Sequence, residues 1–338
     1  MIKITPNQLN AKLEQHNDWR FYLTVGSDPY LQQLAQSQIQ TKYRQLGFEQ
    51  RIFTIDNQVD WNLIFDATQA MSLFSSQTLI VLQFGENALN VAITKKLEQL
   101  TANLSSDVNI LISLAKMTKT QENATWLKPL LDQLIIVTCN TPEIAQLPQW
   151  INQQLINLNL KIEPQGIELL SYHYEGNLLA LAQTLERLKL LYASANIVSY
   201  AQVEQNINDS AVFTPYQWVD AMLLGKTKRA THILQQLKMN DAEPLILLRV
   251  IQRELILLIN LKKIAEKQSL KDAYDLYKVW QTRRSLITPY LNKTSLKQLY
   301  QILNKLTELE VTLKNDYSSP IWEQILAFSL LFTGSKTP

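Results

Sequence analysis

Short apolar runs alternate with segments of helical period over the first two-fifths of the chain. The runs are Phe21–Val25, Ile52–Ile55, Thr78–Phe84, Val108–Leu114 and Leu134–Thr138. Each is apolar at successive positions, so both of its faces must be covered, as in buried parallel strands. Helix-period segments lie between them, near 29–46, 60–72, 88–104 and 121–133. Gly47 stands where a helix C-terminal cap belongs. Strands alternating with helices predict a parallel α/β sheet.

Beyond Thr141-Pro142 the strand signal stops. Helices are expected near 145–157, 164–174 and 177–192. From Thr214 onward helix starts are written plainly into the chain. Thr214-Pro215-Tyr216-Gln217 joins a capping box to a proline at the first helical position. Glu243-Pro244, Ser295-Leu296-Lys297-Gln298 and Ser319-Pro320 open three more. The predicted fold class is therefore α/β plus all-α, in three units: an α/β domain over 1–140, a small helical unit over 141–210 and a larger helical unit over 211–338.

Composition removes several functions. The chain has 338 residues and 7 glycines, against about 24 at average usage. No two glycines lie within five residues of each other, so neither a P-loop nor a dinucleotide fingerprint can be present. Gly225-Lys226-Thr227 mimics the end of a P-loop. However, Asp220 occupies the position of the first glycine, and a capped helix precedes it instead of a strand. Gly225 reads as a helix stop and Lys226 as a surface residue. One cysteine, Cys139, excludes an internal disulfide. His16, His173 and His232 are far apart and form no ligand pair, so no metal or cofactor is expected. There is no apolar leader over Met1–Asn10, and Leu245–Leu261 is too short and too charged to span a bilayer. The expected location is the cytoplasm.

The turn after the first predicted strand, Gly26-Ser27-Asp28-Pro29-Tyr30, is where an α/β NTPase would hold phosphate. It has no lysine, lacks a second glycine and presents a carboxylate. Charge is also unevenly divided. Residues 1–210 hold 14 Lys+Arg and 19 Asp+Glu, a net −5; residues 211–338 hold 18 and 11, a net +7. A basic helical unit fits a phosphate backbone or an acidic partner, or simply a solvated surface.

Two local patterns suggest contacts with partners. In Ala70-Met71-Ser72-Leu73-Phe74-Ser75-Ser76-Gln77, Leu73 and Phe74 follow a helix with an apolar stripe at Trp61, Ile64, Phe65 and Thr68. At about 100° per residue they fall roughly 120° and 220° from Trp61, off that stripe. They read as an exposed anchor for a partner's pocket; the alternative is a helix that ends by residue 72 with both side chains turned inward. In the basic unit, Trp280 stands beside Arg283 and Arg284, and Tyr317 follows Lys314-Asn315-Asp316. Aromatics stack on unpaired bases while Arg and Lys meet phosphates; helix-packing aromatics are the alternative.

At these residues the chain closely resembles the delta-subunit family of bacterial DNA polymerase III, nearest its gammaproteobacterial form. The matching segments are Asp60-Trp61-Asn62 with Gln69 to Phe74, Tyr174 to Gln183, Phe213-Thr214-Pro215 with Trp218 to Ala221, Arg249 to Leu258, and Val279-Trp280-Gln281 with Arg283-Arg284. The resemblance covers essentially the whole chain. It implies an AAA+-like α/β domain without a functional P-loop, a helical lid over 141–210 and a helical collar that assembles with other subunits. It implies a subunit that does not itself hydrolyse ATP and that opens the beta sliding clamp within the DNA polymerase III holoenzyme during chromosomal replication. The family's clamp-binding element falls on Met71, Leu73 and Phe74. The expected partners are the beta clamp, the gamma/tau motor subunits and delta prime in a five-membered ring, and primed-template DNA inside it. Trp280, Arg283, Arg284 and Tyr317 become the expected DNA contacts. Two rival readings are an ATP-dependent AAA+ enzyme and a self-sufficient DNA-binding protein.

Overall fold

A computed structural model describes residues 1–15, 19–56, 58–69, 77–84, 89–102, 104–193, 195–207, 210–266, 268–316 and 319–334. The chain divides into two compact units, Met1–Asn208 and Asp209–Pro338.

The first unit opens with β1 (Ile2–Ile4), α1 (Pro6–Gln15), β2 (Phe21–Val25) and α2 (Pro29–Gln45). It continues through β3 (Glu49–Thr54), α3 (Trp61–Gln69), β4 (Thr78–Gln83), α4 (Val91–Ala102) and β5 (Val108–Leu114). Then come α5 (Lys119–Glu122), a 3-10 helix (Thr125–Gln133) and β6 (Leu134–Thr138). Four helices follow: α6 (Leu147–Leu158), α7 (Pro164–His173), α8 (Leu178–Leu191) and α9 (Tyr200–Glu204). Among the described residues the strands form one parallel sheet in the order β1-β6-β2-β5-β4-β3.

Alternation along each strand sends side chains to two cores. Phe21, Leu23, Ile80, Leu82, Ile110, Ile112, Leu134 and Ile136 join α3, α4 and the 3-10 helix on one face. Tyr22, Leu79, Val81, Leu111, Ile135 and Val137 meet α1, α2 and α6–α9 on the other. The helices after β6 thus complete the second face of the sheet, and Ile162 and Val198 add an isolated parallel bridge among them.

Three differences from the sequence reading have local causes. The strand expected at Ile52–Ile55 begins at Glu49, where it pairs with Thr78 at the sheet edge. An edge strand keeps one side in water, so its polar Glu49-Gln50-Arg51 start gave no apolar signal. The helix expected over 121–133 is divided, with Pro129 inside the 3-10 segment; proline removes an N–H that an α-helix needs. β1 has three residues, too few to show a period, and it adds to the sheet beside β6.

The second unit contains α10 (Pro215–Leu223), α11 (Thr227–Met239), α12 (Pro244–Ala265), α13 (Leu270–Leu276), α14 (Gln281–Lys293), α15 (Leu296–Asn315) and α16 (Ile321–Phe332). The Thr214 and Ser295 capping boxes form as their sequences require. Gly225 stops α10 with φ +66°, and Lys226 caps α11. Leu247, Ile251, Leu255 and Leu258 of α12 run through the core. Trp218 of α10 is fully buried, and its indole donates to Ser329 of α16 at 3.2 Å. Among the described residues no helix is long and apolar enough to cross a membrane.

Candidate functional site

The turn between β2 and α2 lies at the C-terminal edge of the sheet, where open α/β sheets bind their ligands. Asp28 is the N-cap of α2 and is buried. Its Oδ1 accepts the Leu31 N–H at 2.9 Å, and its Oδ2 accepts the Thr141 hydroxyl at 2.7 Å. Pro29, at the first helical position, supplies no N–H. A helix N-terminus attracts anions through its free N–H groups and its positive dipole end. Here a fixed carboxylate already sits on that end.

The rest of the turn is filled by amides. The Gln32 side chain donates to the carbonyls of Gly26 at 3.0 Å and Leu114 at 2.9 Å. Ser113 donates to Gln32 Oε1 at 3.2 Å and accepts from Gln36 at 3.0 Å. Gln83 then donates to Gln36 Oε1 at 3.0 Å. This chain closes over a cleft of about 570 Å³ whose lining, including Gly26, Ser27, Gln36, Gln40 and Ser113, has no charged side chain. A polyphosphate placed here would meet neutral amides and hydroxyls, with no cation in the lining to balance it. Sequence reasoning found the turn but missed Gln32, Gln36, Gln83, Ser113 and Thr141. One signal was legible: residues 29–41 carry no charge and hold five glutamines, where a surface helix ordinarily carries charges on its outer face.

The cysteine at the end of β6 is part of the same corner. Cys139 is buried, and burial, reinforced by Asp28, pushes its thiol up to about 12. It packs in the core beside Leu31 and Leu147.

In the second unit, Trp280 is the N-cap of α14 and is 82% exposed. The two arginines beside it are engaged within the fold. Arg283 pairs with Asp220 of α10, and with Glu254 of α12 at 2.9 Å. Burial opposes its charge, but Glu254 and Asp220 outweigh that and hold the guanidinium above its ordinary range. Arg284 donates to the Val279 carbonyl at 2.8 Å and to Asp275 at 2.7 Å, and lies 5.4 Å over the Tyr274 ring. The structure therefore brings Trp280, Arg283 and Arg284 together at one helix start, with only the tryptophan presented outward.

Met71, Leu73, Phe74 and Tyr317 lie outside the described residues. The described flanks of the first three are α3, which ends at Gln69, and β4, which begins at Thr78. Ile64, Ala67 and Thr68 of α3 are buried. Among the described residues no group of three His, Cys, Asp or Glu side chains is placed to hold a metal.

Comparison with known proteins gives a consistent result. Residues 22–140 match the family described as "DNA polymerase III, delta subunit". Residues 215–338 match the family described as "Processivity clamp loader gamma complex DNA pol III C-term". The chain is 45% identical to the DNA polymerase III subunit delta of Escherichia coli strain K12, over 98% of this chain and 96% of that protein. It is 34% identical to the subunit delta of Haemophilus influenzae, over 98% of this chain and 99% of that protein. Among solved structures it resembles the DNA clamp loader delta protein of Bacillus subtilis, with a TM-score of 0.56 at 14% identity, over 98% of this chain and all of that one. At that identity the likeness speaks for the fold alone, and the expected class of a parallel α/β domain followed by helices stands.

Proposed function

The chain belongs to the delta-subunit family of DNA polymerase III, and from that premise we propose that it binds and opens the beta sliding clamp without hydrolysing ATP itself. The observation that carries the second half is the closed turn. Asp28 occupies the N-terminus of α2 and Gln32 fills the space beside it, which supports a turn without a phosphate cradle. The clamp-opening half rests on Met71, Leu73 and Phe74, which follow a helix anchored in the sheet's core. Two apolar side chains entering a pocket on the clamp would give the grip, and a rigid sheet behind them would let that grip deform a clamp interface. Motor subunits of gamma/tau type supply the ATP, and with delta prime they complete the five-membered ring.

The roles are assigned to residues 1–140, 141–210 and 211–338, of which the first and nearly all of the second lie in the one compact unit Met1–Asn208. The first carries the clamp element, the second serves as a lid, and the third is the collar through which the ring assembles. Primed-template DNA meets the collar inside the ring, with Trp280 and Tyr317 as its stacking surfaces. Arg283 and Arg284 act by fixing the start of α14, on which Trp280 stands, because their charges are already paired.

The decisive experiment replaces both Leu73 and Phe74 with alanine in the intact chain and measures affinity for the clamp. A loss of at least about 2 kcal/mol, some 30-fold in Kd, is expected for two buried anchors. Unchanged affinity would overturn the clamp-binding assignment.

A further inference from the structure

A second pocket lies at the opposite end of the sheet from the closed turn. Arg20, Gln77, Ser106 and Gln133 stand just before β2, β4, β5 and β6, so all four belong to the N-terminal edge. With Lys42 and Tyr43 from the last turns of α2, they line a pocket of about 440 Å³. Leu13, Leu46 and Phe48 give it an apolar wall.

Its electrostatics are the reverse of the glutamine cleft. Arg20 and Lys42 both line it, and among the described residues neither forms an ion pair with a carboxylate. The Arg20 guanidinium is held in place: Nη2 donates to the Ser105 carbonyl at 2.5 Å and the Val108 carbonyl at 2.8 Å, and the group lies 5.4 Å over the Phe21 ring. Its Nε is buried without a hydrogen-bond partner. Behind the two cations sits a fixed polar wall. Tyr43 donates to the Trp19 carbonyl at 2.7 Å and accepts from Asn109 at 2.7 Å, and its hydroxyl lies 3.1 Å from that of Tyr22. Asp107, the acid adjoining the lining residue Ser106, is exposed and accepts the Ser106 hydroxyl.

Two cations that form no ion pair among the described residues, beside neutral donors and an aliphatic-aromatic wall, are complementary to a dianion with an apolar body. Arg20 offers Nη1, since Nη2 is spent on two carbonyls and Nε is buried, and Lys42 adds a point charge. The volume exceeds what a bare phosphate fills and is of ligand-pocket size. We propose that this N-terminal-edge pocket binds a small phosphate monoester with an aromatic or apolar body, its phosphate held by Arg20 and Lys42.

The test titrates the full-length chain with phenyl phosphate, followed by calorimetry and phosphorus NMR. Orthophosphate, phenol and an oligonucleotide with either a 5′-phosphate or a 5′-hydroxyl are run in parallel. Phenyl phosphate is expected to bind saturably, at least tenfold tighter than orthophosphate or phenol. Lys42→Gln should weaken it at least fivefold with an unchanged melting temperature, since Lys42 is half-buried and makes no ion pair. Absence of saturable binding, or binding that Lys42→Gln leaves intact, overturns the proposal. So does a 5′-phosphorylated oligonucleotide that binds through Lys42 where phenyl phosphate does not, because the site would then read nucleic-acid ends.

Discussion

Gly26 lies against the backbone of Cys139 so closely that a Cβ at position 26 would come within 2.1 Å of the Cys139 carbonyl carbon and oxygen. The approach is locked from both sides. Asp28 N–H donates to the Cys139 carbonyl at 3.0 Å, and Cys139 N–H donates to the Val25 carbonyl at 2.6 Å. Backbone cannot yield as a flexible side chain can. Gly26→Ala should therefore cost about 3 kcal/mol, at the upper end for overpacking. Gly47→Ala is the control: φ is +83° there, but nothing lies within 4 Å of the added carbon. It should cost only the left-handed penalty, about 1 kcal/mol. Chemical denaturation of the two variants checks the order, and equal losses would contradict it.

The closed turn leads to a prediction about ATP. The isolated chain should release no phosphate from ATP above background. Asp28→Ala should not change that, because no cation lines the cleft to replace the carboxylate. The variant should instead lose about 1–2 kcal/mol of stability, the usual value of an N-cap. Measurable turnover by either protein would contradict the assignment.

Trp280 and Arg283 should separate cleanly under mutation. Trp280 is largely in solvent, so Trp280→Ala should change stability by no more than about 0.5 kcal/mol. In an assembled loader it should still weaken binding of primed DNA. Arg283→Ala leaves Asp220 unpaired together with Glu254, whose side chain is 12% exposed. Stranding carboxylates in such a site should cost about 2–3 kcal/mol. Thermal melts alongside DNA titrations read both effects. A stable Arg283→Ala with reduced DNA binding would make that arginine a direct contact.

Alkaline pH should destabilise the first unit. Burial, then the neighbouring Tyr43, raises the Tyr22 hydroxyl well above its ordinary range, and burial also raises Tyr43. Cys139 is pushed from 9.0 to about 12. Groups whose pKa is raised by folding contribute stability that is complete below their unfolded values. That contribution is lost as pH rises through the folded values. The melting temperature should hold near pH 8 and fall above about pH 9. Tyr22→Phe should make the fall shallower. Identical slopes for the variant and the parent would exclude the tyrosine pair as a cause.

Much of the fold was legible because its signals are local. The runs at 21–25, 78–84, 108–114 and 134–138 are apolar on both faces, since both faces of the sheet are covered. Thr214 and Ser295 cap their helices with side chains three residues away from their partners. β1 was not legible, because three residues become a strand only when β6 offers its edge. The candidate DNA residues were legible as types but not as roles. Nothing near Arg283 in sequence announces Glu254 or Asp220, which reach it from two other helices.

The sequence by itself determined that the turn after β2 holds Gly26 without a second glycine or a lysine. It also determined that the chain's basic charge gathers in the last 128 residues. Both are matters of which residues are present. Only the tertiary structure decided how the turn is closed, with Thr141 and Asp28 joined from positions 113 apart and Gln32 reaching the carbonyl of Leu114. It alone decided that Arg283 is spent on ion pairs while Trp280 faces outward. The reason is physical: capping and periodicity act within a few residues along the chain. Burial of a charge depends on what folds over it, and that is fixed only when distant segments pack.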